Sequence, residues 1–481
     1  VALVRLWVAS CTPLTDDEAY YRLWALAPAL SYLDHPPMAG WMIAAGRWIA
    51  GDNPLGVRLA APLASLLGPF VLWRTTAILF DRNIAEWATW MSLAMPLLAV
   101  GGVIITPDTP SVLSWGLTVW ALAELHRSQD AYWWLAVGLF SGLGLLSKYT
   151  NLFVGVGIAL WIALVPANWR WLRSWQLWVG GTLACALALP VILWNLEHDW
   201  ASFDKQLGRV ARGEGATLNF LLEFAGAYLG LASPVIAILA AWGLWIVIRI
   251  AVAERDQARV LLAVTIVPLV AYALVHALHA RVQPNWVAPL YPALAICAAI
   301  ALAHIANPRV MGRVGAAALV VGFLFWGLLY VHVLRPIVKT ADFKDPSAQM
   351  RGWSQFAAEV DRLRVENGAR WVATSSYATT GQLAFGLKSA APVVQLNERM
   401  RYAHLPPMDD ALVASPAIYV ELARRQRPWM LLERFSSVTP IGNLVRRDRG
   451  VPIATYVVYR LADPIAPVLG PALRERDDPW W

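Results

Sequence analysis

Charge is scarce in this chain of 481 residues: 15% are Asp, Glu, Lys or Arg, 58% are hydrophobic and the mean hydropathy is +0.50. A soluble domain carries about a quarter of its residues as charges, so most of this chain is not soluble. Cysteine is nearly absent, with only Cys11, Cys185 and Cys297, which argues against a disulfide framework. There is no HExxH and no paired CxxC, so no zinc signature, and no P-loop or GxGxxG for a nucleotide-driven engine. No internal repeat and no low-complexity tract is visible. The lack of a repeat counts against the common transporter architectures, which place ionisable groups near the bilayer midplane on broken, repeat-related helices.

What the chain does hold is a series of apolar stretches, each about twenty residues long and so able to cross a hydrocarbon core as helix. They lie near 56–79, 84–104, 109–125, 132–147, 150–166, 175–194, 218–248, 259–278, 286–305 and 314–334. The stretch from Val1 to about Ser10 reads as the end of a truncated first span, not a signal peptide. About eleven crossings result. Alternate connections collect arginine: Arg74 and Arg82, Arg127, Arg170 and Arg173, Arg249, Arg255 and Arg259, then Arg309 and Arg313. The positive-inside bias puts these in the cytoplasm. The other connections hold Asp17, Glu18, His35, Asp108, Lys148, Glu197, His198, His279 and Arg281, together with Lys205, Arg209 and Arg212. The 27 tryptophans suit membrane interfaces. The net charge of +7 is spread through the loops and reads as topology, with a smaller share for anionic lipid or phosphate; nucleic acid is not implied.

The expected organisation is a polytopic helical membrane domain over 1–337 and a soluble α/β domain over 338–481. A large non-cytoplasmic first loop over 11–54 holds amphipathic helices lying in the interface. In the second domain a helix is expected in SAQMRGWSQFAAEVDRLRVENG, stopped by Gly368. Strands are expected at RWVAT, PVVQL, WMLLE and ATYVVYRL, with a loose tail from Ala466. The odd number of crossings puts this domain on the same side as the acidic first loop.

Several residues at that side suit chemistry, and each has a plainer reading. Thr15-Asp16-Asp17-Glu18 opens a helix as a capping box, and a cap also fixes a carboxylate's direction. Thr106-Pro107-Asp108-Thr109-Pro110 opens another, with Thr109 expected as the cap and Pro110 as the first helical residue. Two carboxylates at one interface can divide base and positioning roles. His35 precedes Pro36 and Pro37, which hold the backbone extended. Lys148 ends a span, where a lysine can also simply snorkel. Arg281 sits in a very short connection. On the outer side, Lys148 and Arg281 run against the positive-inside trend and suit a phosphate partner.

LTDDEAYYRLWA, LSYLDHPPMAGWMI, GVRLAAPL, ITPDTPSVLSW, GLGLLSKYT and QPNWVAPLYPA occur in that order. The set resembles the bacterial branch of the dolichyl-phosphate-mannose protein mannosyltransferases (glycosyltransferase family 39), which includes the aminoarabinose and galacturonic acid transferases of lipid A. The resemblance covers the membrane domain well and the C-terminal domain loosely. It implies a GT-C helical bundle with a soluble domain, and an inverting transfer of a sugar from a polyprenyl phosphate donor. The acceptor would be a lipid, glycan or protein at the outer face of the bacterial inner membrane. By motif, Asp17 and Glu18 match the family's acidic pair, with Asp17 the catalytic carboxylate, and Asp108 matches a second functional aspartate. Lys148 and Arg281 match basic positions facing the donor phosphate. His35 stands where the lipid A aminoarabinose transferases carry Lys, so aminoarabinose does not follow as the sugar. No cofactor is implied with certainty, although Asp17, Glu18 and the outer histidines could hold a divalent ion; no metal ligand set is assigned. The alternatives are a transporter or lipid flippase, and a scaffold whose soluble domain recruits partners.

Overall fold

The computed structural model describes residues 1–211, 218–337, 345–425, 428–465 and 467–469. Arg212, the Arg209 side chain, the first residues expected of the soluble domain (338–344) and the tail beyond Leu469 lie outside the described residues. The chain forms two compact units: Val1–Ala9, Asp34–Met42 and Arg58–Val331 in one, Ser10–Leu33, Ile43–Val57 and the chain from His332 onward in the other.

The first unit is helical and makes this a multi-pass membrane protein. Among the described residues, six helices are long and apolar enough to cross a bilayer: Pro54–Leu79, Trp175–Glu197, Pro234–Glu254, Gln257–Ala277, Pro284–Ala303 and Pro308–Leu334. The bent pair Tyr149–Leu164 and Pro166–Arg173, turned by 110°, makes a seventh if it counts as one span. The sequence leads to an expected count of about eleven, which these lengths do not confirm; proline reshapes two of the expected stretches. The stretch 218–248 is two helices, Asn219–Ala232 and Pro234–Glu254, with Ser233 between them at φ 71° and ψ 134°. Pro234 has no N–H for the helical ladder, and its ring pushes the preceding residue out of helical backbone. The stretch 84–104 breaks in the same way at Pro96, into Arg82–Ala94 and Pro96–Gly101.

The core of this unit is the helix Tyr291–Ala303, buried on nearly every side. Pro234–Glu254 packs on it through Gly243, where an added Cβ would lie 1.8 Å from the carbonyl oxygen of Cys297. Only a residue without a side chain allows that backbone approach. The helix Asp108–Ser128 organises the charges. Near its C-terminal end the buried Glu124 accepts from Arg74 (3.1 and 3.0 Å) and from Arg127 Nε (2.8 Å). Asp108 opens the same helix, about 24 Å away at 1.5 Å per residue. The arginine-bound Glu124 and Asp108 therefore sit toward opposite ends of one helix.

The second unit carries a five-stranded sheet in the order β2-β1-β3-β5-β4. The strands are β1 Trp371–Thr374, β2 Val393–Gln395, β3 Ala417–Leu422, β4 Phe435–Asp448 and β5 Val451–Pro464. Strand β1 lies between two parallel neighbours, with Val372 opposite Val393 on β2 and Ile418 on β3. Antiparallel β5 follows β3, pairing Tyr419 with Tyr459, and β4–β5 is a hairpin. The expected helix is present as Trp353–Glu366, and Gly368 follows at φ 61°. The segment Trp429–Glu433, expected as a strand, is instead largely the short helix Pro428–Leu432. Pro428 supplies its first residue, where the missing N–H costs nothing.

The first-loop helix Asp16–Leu26 belongs to this unit and is buried over residues 18–25. It docks on the helix Tyr377–Gly386 at Gly381, whose added Cβ would lie 2.7 Å from Tyr20 N. Trp24 stacks flat on Tyr32 at 4.4 Å, and the Tyr32 hydroxyl donates to the Trp24 carbonyl at 3.1 Å.

Gly243→Val is expected to destabilise the membrane unit by about 1–3 kcal/mol through forced helix separation. Gly181→Ala, where an added Cβ meets nothing within 4 Å, should melt like the parent. Thermal unfolding in detergent compares the two.

Candidate active site

Asp108, Lys148 and Asn285 come together in the first unit. Asp108 is the first residue of its helix, two residues ahead of the expected start, with Pro107 before it in place of a Thr109 cap. Its backbone N–H donates to Thr106 Oγ1 at 3.2 Å. The carboxylate therefore sits at the positive end of the helix dipole. Lys148 follows the helix Trp133–Leu145 in extended backbone (φ −159°, ψ 141°). Its Nζ donates to Asp108 Oδ1 at 2.6 Å and to the Asn285 carbonyl at 3.2 Å. Asn285 Nδ2 closes the triangle on Asp108 Oδ2 at 2.7 Å. The Lys148 side chain is only 7% exposed and that of Asp108 16%. An ammonium has three N–H donors. Two are used, by the Asp108 carboxylate and the Asn285 carbonyl.

The loop carrying His35 is anchored nearby in the same unit. Met38 N donates to the Leu146 carbonyl at 3.0 Å. Asp34 forms an ion pair with Lys205 at 2.8 Å, with both side chains at most 10% exposed, and Gln206 Nε2 donates to the Asp34 carbonyl at 2.8 Å. Tyr149, next to Lys148, meets Ser202 Oγ at 2.7 Å. His35 is half-buried. Arg281 is engaged at the surface by Glu223, at 2.9 Å. Sequence reasoning missed Asn285, although it lies in the QPNW motif, and missed Asp34, the immediate neighbour of His35.

Asp17 and Glu18 lie in the second unit. Glu18 is fully buried and closes the capping box: its Oε2 accepts from Thr15 N at 2.9 Å and Thr15 Oγ1 at 3.1 Å. Thr15 Oγ1 in turn accepts from Glu18 N at 3.2 Å. Asp17 is exposed, and its Oδ1 accepts from the Tyr377 hydroxyl at 3.2 Å. Asp16 Oδ1 accepts from Gln382 Nε2 at 3.0 Å. Asp52 binds Arg22 and Arg47. Burial alone would raise its carboxyl, but the bonds from the two guanidiniums outweigh that and hold it well below the usual carboxylate range. Burial pushes His404 down to about 4, against the opposing effect of its hydrogen bond with the Leu23 carbonyl.

A family model described as dolichyl-phosphate-mannose-protein mannosyltransferase matches residues 34–194, the segment that holds His35, Asp108 and Lys148. The crystal structure of ArnT from Cupriavidus metallidurans in the apo state superposes with a TM-score of 0.68, covering 98% of this chain and 97% of that one at 14% identity. This is a GT-C fold. Curated proteins are also similar over part of the chain. Lipid A galacturonosyltransferase RgtD of Rhizobium johnstonii is 29% identical over 284 residues, 59% of each chain. An undecaprenyl phosphate-alpha-4-amino-4-deoxy-L-arabinose arabinosyl transferase of Pseudomonas aeruginosa is 30% identical over 182 residues, 35% of this chain and 31% of that protein. The matches thus span 59% of the length of the first relative and 31% of the second. The expected helical GT-C bundle with a small C-terminal sheet is the fold observed.

Two outcomes follow from this geometry. Asp108→Asn strands the buried Lys148 ammonium, and adding Lys148→Met should recover part of the loss. A double-mutant cycle on thermal unfolding is expected to read a coupling of about 1–3 kcal/mol. In the second unit, His404 resists protonation when folded but takes up a proton at its ordinary 6.5 when unfolded. Stability should therefore fall as pH drops from 6.5 toward 4 and level off below that, where both states are protonated. His404→Gln is expected to flatten that slope, measured as melting temperature against pH.

Proposed function

We propose that this chain is an inverting glycosyltransferase moving a sugar from a polyprenyl (undecaprenyl) phosphate to an acceptor of the lipid A kind. The observation that carries this reading is the Lys148 ammonium, buried beside Asp108 and Asn285. A phosphate leaving group needs such a charge, and a pre-formed one costs no reorganisation during reaction. The segment with the family match contains this lysine. RgtD is named for lipid A and galacturonic acid, and the Pseudomonas relative for undecaprenyl phosphate and aminoarabinose. The crystal structure of ArnT bound to undecaprenyl phosphate shares the fold, at a TM-score of 0.68.

In the proposed reaction an acceptor oxygen forms a bond to the anomeric carbon as the bond from that carbon to the phosphate oxygen breaks. The electron pair leaves with the phosphate, whose charge Lys148 stabilises. Asp17 takes the proton when the acceptor is a hydroxyl. An ionised phosphate acceptor would carry no such proton, and the carboxylate would then orient it. Asp108 sets the direction of Lys148. His35 and Arg281 are the further phosphate-binding candidates, Arg281 by exchanging its exposed partner Glu223 for phosphate. Glu18 supports Asp17 by closing the cap that starts their helix. The proposal places this chemistry and the domain of residues 338–481 on the periplasmic side of the bacterial inner membrane. The division of charge along the helix Asp108–Ser128 supports that orientation, with Arg74 and Arg127 held at the end away from Asp108.

Asp17→Asn tests the reading in lipid nanodiscs with undecaprenyl phosphate-linked galacturonic acid or aminoarabinose and purified lipid A, scored by mass spectrometry. Loss of a general base is expected to slow transfer by about 10²–10⁴-fold at an unchanged melting temperature. Undiminished transfer would remove Asp17 from its role.

A further inference from the structure

Three carboxylates stand in a row at the start of the helix Asp16–Leu26, and the second unit treats each differently. Asp16 is bound by Gln382 and Glu18 is buried in the cap. Asp17 is exposed and receives the hydroxyl of Tyr377 at 3.2 Å, from a residue 360 positions away in sequence.

Tyr377 occupies a built position. It starts the helix Tyr377–Gly386, directly after β1 and the pair Ser375-Ser376. The turn before it is fixed by Glu421 on β3, which is fully buried. Glu421 Oε2 accepts from Ser375 N at 3.1 Å and Ser375 Oγ at 2.6 Å, and its Oε1 accepts from Leu422 N at 2.7 Å. Ser375 Oγ also meets the Tyr419 hydroxyl at 2.7 Å. Burying a carboxylate is costly unless it is fully hydrogen-bonded, and here that cost goes into holding one strand-to-helix turn. The Tyr377 ring is in turn held between Tyr20, at a centroid distance of 5.3 Å, and the Arg401 guanidinium, 5.3 Å from the ring centroid. A bidentate pair with Glu398, 3.0 Å at each contact, fixes Arg401 itself. Below the turn, the close approach at Gly381 locks the helix carrying Asp17 against the helix carrying Tyr377.

The geometry points to Tyr377 as a positioning residue for the Asp17 carboxylate, set in place by the Glu421-bound turn and by Arg401. This inference rests on the proposed role of Asp17 as proton acceptor. A phenol donating to Oδ1 fixes the rotation of the carboxylate and favours its ionised form, the form that can take a proton. It gives the sheet-bearing unit a direct part in the reaction, through a residue the sequence did not single out.

The test compares the parent, Tyr377→Phe and a protein with 3-fluorotyrosine inserted at position 377, in the same nanodisc assay across pH. A hydrogen bond to a charged group is worth roughly a tenfold effect or more. Tyr377→Phe is expected to lower kcat about tenfold, leave KM for the donor unchanged, and move the acidic limb of the kcat profile to higher pH. The fluorinated ring keeps its shape and donates more strongly, so its acidic limb should move to lower pH. Acidic limbs that stay where they are in both proteins, with Asp17→Asn inactive, would overturn the inference and leave the proposed function standing. An active Asp17→Asn would overturn both.

Discussion

An ammonium cannot sit alone inside an apolar helical bundle. Taking Lys148 out of water is unfavourable by several kcal/mol unless a carboxylate and further acceptors replace the lost solvent. Asp108 and the Asn285 carbonyl do so, at 2.6 and 3.2 Å. That requirement ties together three distant parts of the chain: the start of Asp108–Ser128, the end of Trp133–Leu145 and the turn before Tyr291–Ala303. An arrangement kept only for stability would often gain from replacing the pair by apolar side chains. A site for an anionic group gains from a charge already in place.

The second constraint is the separation of charge. Glu124 gathers Arg74 and Arg127 at one end of a helix whose other end is Asp108. The low dielectric between them makes it costly to move either set inward, so each end keeps its own character. The sheet-bearing unit holds Asp17 and its neighbours on a support of buried aromatics and paired guanidiniums.

Much of this was legible in the sequence. Asp108 and Lys148 were placed at one interface because both stand at span ends in connections poor in arginine, and they are in contact. The capping box at Thr15 and Glu18 followed from residue type and spacing, and Gly368 ended its helix as expected. What could not be read was long-range pairing. Asp34 with Lys205, or Asp17 with Tyr377, leave no local periodicity to find. Trp429–Glu433 misled because a run of four apolar residues suits a strand or a buried helix equally well, and Pro428 decided for helix. The stretch 218–248 was read as one span because its apolar composition outweighed the break at Ser233-Pro234. The burial of the first-loop helix within the sheet-bearing unit was likewise invisible, since aromatic and charged residues together suit an interface as well as a protein core.

The central claim is that Lys148 holds the phosphate of a polyprenyl carrier. Native mass spectrometry of the purified protein titrated with undecaprenyl phosphate tests it most directly, with Lys148→Met compared against the parent. The account predicts saturable binding by the parent and affinity at least about tenfold weaker in the variant, the loss expected when a charge-assisted hydrogen bond is removed. Equal affinity for the lipid in both proteins would contradict it.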